Sequence, residues 1–179
     1  ILNGPILTFR PSKSGKAYQK IWDKDNHGSP LRKFTINQTS KLKKIFESYK
    51  NVSIEYAMRY GTPEIEKTLN KMTKKGCSKI LLVPLYPQYA ASTSATVKDE
   101  VFRWMLKQRW QPDLRTIAPW FDNHNYIKAL AETVKKNIIN KNKLDKLIVS
   151  FHGIPKRYFM AGDPYHCCLL YTSPSPRDL

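Results

Sequence analysis

His152 holds the position from which one side chain can do the most chemistry. It follows the apolar run 146–151 (KLIVSF) directly and precedes Gly153-Ile154-Pro155, a tight exit. An imidazole at the end of a buried strand faces a ligand crevice, where it serves as metal ligand or as base near neutral pH. The plainer alternative is a strand-end histidine bonded to a backbone carbonyl. Arg59 and Tyr60 close an earlier strand-like stretch. They can hold a carboxylate by a forked contact and a hydroxyl, or they can be surface residues. Tyr86, Gln88 and Tyr89 share a loop with Pro84 and Pro87. Two aromatics on a stiff loop can wall a flat ligand, or simply pack beneath it. Ser92-Thr93-Ser94 is most simply a helix-cap cluster. His166, Cys167 and Cys168 are adjacent and lack the spacing of a structural zinc site; His27 and His124 have no partner at ligand spacing. The seven glycines are scattered and build no phosphate loop.

The elements that must position these groups alternate. The stretch 52–58 reads as a strand, stopped by Gly61-Thr62-Pro63. Thr62 can cap a helix with Pro63 at its first position, and Ile65, Leu69 and Met72 line one face of a helix ending near Gly76. The run 79–84 (KILLVP) suits a strand buried on both sides. A helix follows with Val97, Val101, Trp104 and Met105 on one side, then a strand over 114–118. A third helix carries Tyr126, Leu130, Val134 and Ile138, and 146–151 forms the last strand. Before these, a helix is expected near 38–49. This alternation predicts α/β architecture: a parallel sheet with flanking helices and right-handed crossovers. Ligands in such sheets bind beyond the carboxyl ends of the strands, which selects the loops 59–62, 84–94 and 150–155.

Composition sets the outer limits. The 179 residues contain 31 Lys and Arg against 14 Asp and Glu, a formal net charge of +17, so an anionic partner is expected. Lysines number 23 and arginines 8. Arg is the better fork for phosphate and base edges, so the balance argues against nucleic acid. Apolar residues make up 41% and the mean hydropathy is −0.54, the composition of a globular chain. No apolar run approaches the ~20 residues that span a bilayer, and no cleavable leader pattern opens the chain. Three cysteines give no disulfide framework and fit a reducing compartment.

The two ends suggest a piece of a longer protein. Residue 1 is Ile, and the sequence opens as a chain already under way. From Cys168 it runs CLLYTSPSPRDL, with no period linking it to what precedes, and it is similar to the translation of a sequencing-library adapter. Residues 168–179 are therefore expected to be a non-native tail. Its one Arg and one Asp cancel, so the +17 belongs to residues 1–167.

Several strings converge on one family. VPLYPQYAAST at 83–93 and SFHGIPKRYFMAGDPYHC at 150–167 closely resemble ferrochelatase, the enzyme that inserts ferrous iron into a porphyrin. ILNGPILTFRPSKSGKAYQKIW, HGSPL and AMRYGTPEIEK fit the same family in its proteobacterial style. The resemblance implies a chelatase-like fold of two α/β lobes with a porphyrin cleft between them. Residues 1–119 would form the first lobe without its opening strand, and 120–167 the start of the second. It implies that His152 is the catalytic and metal-contacting histidine. Ser29 would contact a porphyrin carboxylate. Arg59 and Tyr60 would be an active-site pair, and Tyr86, Pro87, Gln88 and Tyr89 the cleft loop. The metal-side glutamate lies outside these residues. The expected partners are protoporphyrin IX and Fe(II), with iron a substrate and no cofactor. Ala91 stands where cluster-bearing members carry a cysteine, so no iron–sulfur cluster of that type is expected. The implied location is the cytoplasm, with the inner membrane face as a peripheral contact. The other readings are a tetrapyrrole chelatase for another porphyrin or metal, and a basic module for nucleic acid or acidic lipid.

Overall fold

The computed structural model describes residues 15–22, 29–138 and 146–172. His27, most of the opening string and the end of the tail lie outside them. The chain divides into two compact units, Ile1–Glu64 and Ile65–Leu179.

In the first unit, residues 15–19 form a short helix, α1. The main element is α2, Pro30–Ile45. It starts earlier than the sequence pattern suggests because Pro30 takes the first helical position, where its missing N–H costs nothing. Thr35 and Thr39 are its buried residues, and their hydroxyls donate to the carbonyls of Leu31 and Thr35, both at 2.8 Å. The stretch 52–58 is not a strand. It forms a single bridge, Met58 to Glu64, closed by the Met58 N–H donating to the Pro63 carbonyl at 2.8 Å. Alternating polarity is present, but a strand needs a neighbour to complete its ladder. Pro63, preceded by a cis peptide bond, belongs to this turn and does not open the next helix.

The second unit begins with α3, Ile65–Lys74. Gly76, at φ 85°, and Cys77 end it by donating to Thr73 and Met72, a Schellman close that favours glycine. Strand β1, Lys79–Leu82, pairs in parallel with β2, Asp113–Thr116, in the register Lys79–Asp113 through Leu82–Thr116. The crossover between them is a loop, a π-turn at Ala91–Ala95 and helix α4, Thr96–Lys107. Ile65 and Leu69 of α3 and Val101 and Trp104 of α4 are all buried, and these two helices pack together. Trp104 donates its indole N–H to Asn70 at 2.8 Å, so the large ring is buried without an orphaned donor. Helix α5, His124–Ile138, is capped by Asn123, whose side-chain oxygen accepts from the N–H groups of Asn125 and Tyr126.

The parallel α/β arrangement is therefore present with two strands among the described residues. The expected fourth strand, 146–151, is irregular and exposed, with Ile148 at 89%. Its apolar run satisfies the strand pattern, but no sheet edge receives it. Helices α6, Lys156–Met160, and α7, Tyr165–Thr172, follow. Helix α7 continues through Cys168, where the sequence showed no period, because local backbone bonds such as Cys168 N–H to Pro164 O at 2.9 Å need no apolar face. Among the described residues no helix is long and apolar enough to cross a membrane.

Candidate active site

His152 leaves the irregular run 146–151 with its ring exposed and Nδ1 2.6 Å from the Gly153 carbonyl oxygen. A carbonyl only accepts, so Nδ1 carries the proton and donates. In the neutral ring the lone pair is then on Nε2, which can take a metal or a proton. A backbone bond through Nδ1 and a ligand role through Nε2 are thus compatible on one ring.

The loop between β1 and the π-turn brings Tyr86, Gln88 and Tyr89 together. Tyr86 is 41% exposed, while Gln88 and Tyr89 are half-buried. Trp120 braces this loop. Its backbone N–H donates to Pro87 at 3.0 Å and its indole N–H to Pro84 at 3.4 Å. The Lys98 ammonium lies 5.6 Å from the Tyr89 ring centre, within cation–π range. Tyr86, Tyr89, Lys98 and Trp120 border a cleft with about 10 Å³ of free volume. That is room for about one water, against the ~300 Å³ or more of a ligand pocket. The loop supplies a wall and not an enclosure. A larger open hollow of about 290 Å³, over Lys79, Leu81 and Arg115 of the sheet, contains none of the candidate residues.

Ser92, Thr93 and Ser94 do not cap α4. They lie within the π-turn, where Thr93 donates to the Ala90 carbonyl and Ser94 is buried. Single π-helical turns are frequent at functional sites. The start of this one is held from a distance. Asp163, buried at 8% exposure, accepts the Ala91 N–H on Oδ2 at 2.8 Å and the Tyr165 N–H on Oδ1 at 3.0 Å. Gly162, at φ 91°, and Asp163 donate to Phe159 and Tyr158, so a Schellman close of α6 aims the carboxylate. Burial pushes the Cys168 thiol of α7 above its ordinary value, and the Tyr89 backbone beside it pulls the other way. Trp120, Lys98 and Asp163 were missed in the sequence because their roles depend on tertiary neighbours. The pairing of Gly162 with Asp163 after a short helical pattern was the available signal for the last.

In the first unit, the Arg59 guanidinium carbon lies 4.6 Å from the Tyr60 ring centre, so the two form one stacked unit with the ring 74% exposed. Ser29 precedes α2 but makes no side-chain cap bond, and it offers its backbone carbonyl to Lys33 instead. No group of three or more His, Cys, Asp or Glu able to hold a metal ion occurs among the described residues.

A model of the ferrochelatase family matches residues 1–175. The chain belongs to the ferrochelatase family. It is 50% identical over 168 residues to the ferrochelatase of Allorhizobium ampelinum, covering 93% of this chain and 49% of that protein. The Rhizobium meliloti ferrochelatase is 48% identical over 168 residues, covering 93% and 50%. The Brucella anthropi ferrochelatase is 42% identical over 174 residues, covering 97% and 50%. The chain spans about half the length of these curated relatives. The ferrochelatase match extends to residue 175, past the point at which the sequence turns adapter-like.

Proposed function

We propose that this chain is part of a ferrochelatase that inserts ferrous iron into protoporphyrin IX, with His152 at the reacting centre. The observation that carries the reading is the bond from His152 Nδ1 to the Gly153 carbonyl, which leaves the lone pair of the neutral ring on Nε2. Metalation joins Fe(II) to four ring nitrogens and releases two pyrrole protons, so it needs a proton acceptor near the ring centre. One lone pair cannot hold a metal and a proton together. His152 therefore contacts the iron and accepts the two ring protons at different instants, passing each on to solvent water at its exposed ring.

The ring must also be gripped and puckered, which remote contacts can drive. Tyr86, Gln88 and Tyr89, braced by Trp120, form one wall. The family resemblance assigns the porphyrin carboxylates to Ser29 and an active-site role to the Arg59–Tyr60 pair, and both assignments belong to this reading. The tail 168–179 is read as foreign to this enzyme, and residues 1–119 and 120–167 as portions of its two lobes. The +17 charge matches an anionic porphyrin. It also supports peripheral contact with acidic lipid on the cytoplasmic side, since α2 has five basic and no acidic residues and leaves Leu31, Phe34 and Ile45 exposed.

The test is product absorbance with the full-length protein, Fe(II) and, in separate reactions, protoporphyrin, coproporphyrin and sirohydrochlorin. Protoheme formation from the first supports the reading. Metalation confined to another tetrapyrrole, or none at all, overturns it.

A further inference from the structure

We propose that Asp163 is a positioning residue that holds the tyrosine loop in register with His152. The inference rests on the chelatase reading of those two groups. The loop leaves through Ala90 and Ala91, and Ala90 is almost wholly buried. At that exit the Ala91 N–H is bonded to a carboxylate 72 positions along the chain. The carboxylate's other oxygen holds Tyr165, at the start of α7. A turn after α6 aims the side chain, and α6 begins four residues after His152. One buried carboxylate therefore joins the segment that follows the proton acceptor to the segment that walls the ring. Both oxygens accept backbone donors and the side chain is buried, so the carboxylate serves as a pin between two backbone segments. It acts through the alignment of ring and imidazole.

Alignment errors on the order of 1 Å cost up to about a hundredfold in rate. The pin can be removed from either end in the full-length protein. Asp163→Asn turns an oxygen into a donor that faces another donor. Ala91→Pro deletes the N–H alone. It suits the backbone, because Ala90 is extended at φ −145° and ψ 150° and Ala91 is the first residue of the helical turn. Each variant is expected to lower kcat for iron insertion by about tenfold or more, with the porphyrin Kd by fluorescence within about threefold. The double variant should lose little beyond either single, since one bond is removed twice. Asp163→Glu should recover part of the rate. The inference is overturned if kcat stays within about threefold of the parent in both variants, if the losses multiply, or if they track the unfolded fraction by circular dichroism. A parent protein that inserts no iron overturns the chelatase reading instead.

Discussion

The sharpest prediction separates the two nitrogens of His152. His152→Asn places an amide where Nδ1 stood and keeps the bond to Gly153, but it has no basic atom at the Nε2 position. His152→Gln puts an amide near Nε2 without basicity. Positioned acid–base groups contribute about 10²–10⁴ in rate, or about 2.7–5.5 kcal/mol of barrier. The ring is exposed, and exposed substitutions usually change stability by less than about 0.5 kcal/mol. The two magnitudes are far enough apart for activity loss to be assigned to chemistry and not to unfolding. Both variants of the full-length protein should insert iron at least about a hundredfold more slowly. Porphyrin binding by fluorescence and the urea midpoint should hardly move. His152→Ala should behave alike and regain some activity in millimolar imidazole, because the site is open. Iron insertion by His152→Asn at more than about a tenth of the parent rate would refute the proton-acceptor argument.

Trp104→Ala should cost about 3–5 kcal/mol in urea unfolding, because the ring is buried and its loss also orphans Asn70. Trp120→Ala should leave that midpoint nearly unchanged but weaken porphyrin binding measured by fluorescence titration, since it removes the brace of the tyrosine loop. The 179-residue chain alone should insert no iron in the absorbance assay, and soluble monomeric activity would overturn the expectation that its second lobe is incomplete. Burial raises the Cys168 thiol, so iodoacetamide at pH 8 should label the exposed Cys167 first, as read by peptide mass. A group raised on folding contributes stability below its unfolded value and loses that contribution as pH rises through the folded one, so any share from Cys168 fades at alkaline pH. Sequencing the encoding DNA should show adapter codons at 168–178.

Local pattern was enough to read α3, α4 and α5. Ile65, Leu69, Val101 and Trp104 fall at helical spacing, and burial of those residues is what the helices need. The sheet was half legible. The stretches 79–82 and 113–116 found each other, whereas 52–58, by its alternation, and 146–151, by its apolar run, carry strand patterns without a partner strand among the described residues. Pairing is a property of two segments, and one sequence window cannot show it. Pro63 shows the same limit, because its helix-opening chemistry was outweighed by a turn closed with Met58. At the site, His152 and the tyrosine loop stand out as short strings. Asp163 does not, because an aspartate after glycine looks like any turn residue until Ala91, 72 positions away, is seen to be its partner.

The brace on the tyrosine loop also makes the loop visible to light. Trp120 touches both prolines that flank Tyr86 and packs edge-on against Tyr126, with ring centres 4.9 Å apart. A porphyrin laid on this wall would lie close to that indole, and its strong near-ultraviolet band would take up the emission by energy transfer. Trp104 is buried where α4 packs on α3 and is bonded to Asn70, so its emission is common to proteins with and without Trp120. The difference in emission between the parent and a Trp120→Phe variant therefore reports occupancy of the wall directly, with no label added and before any iron is supplied.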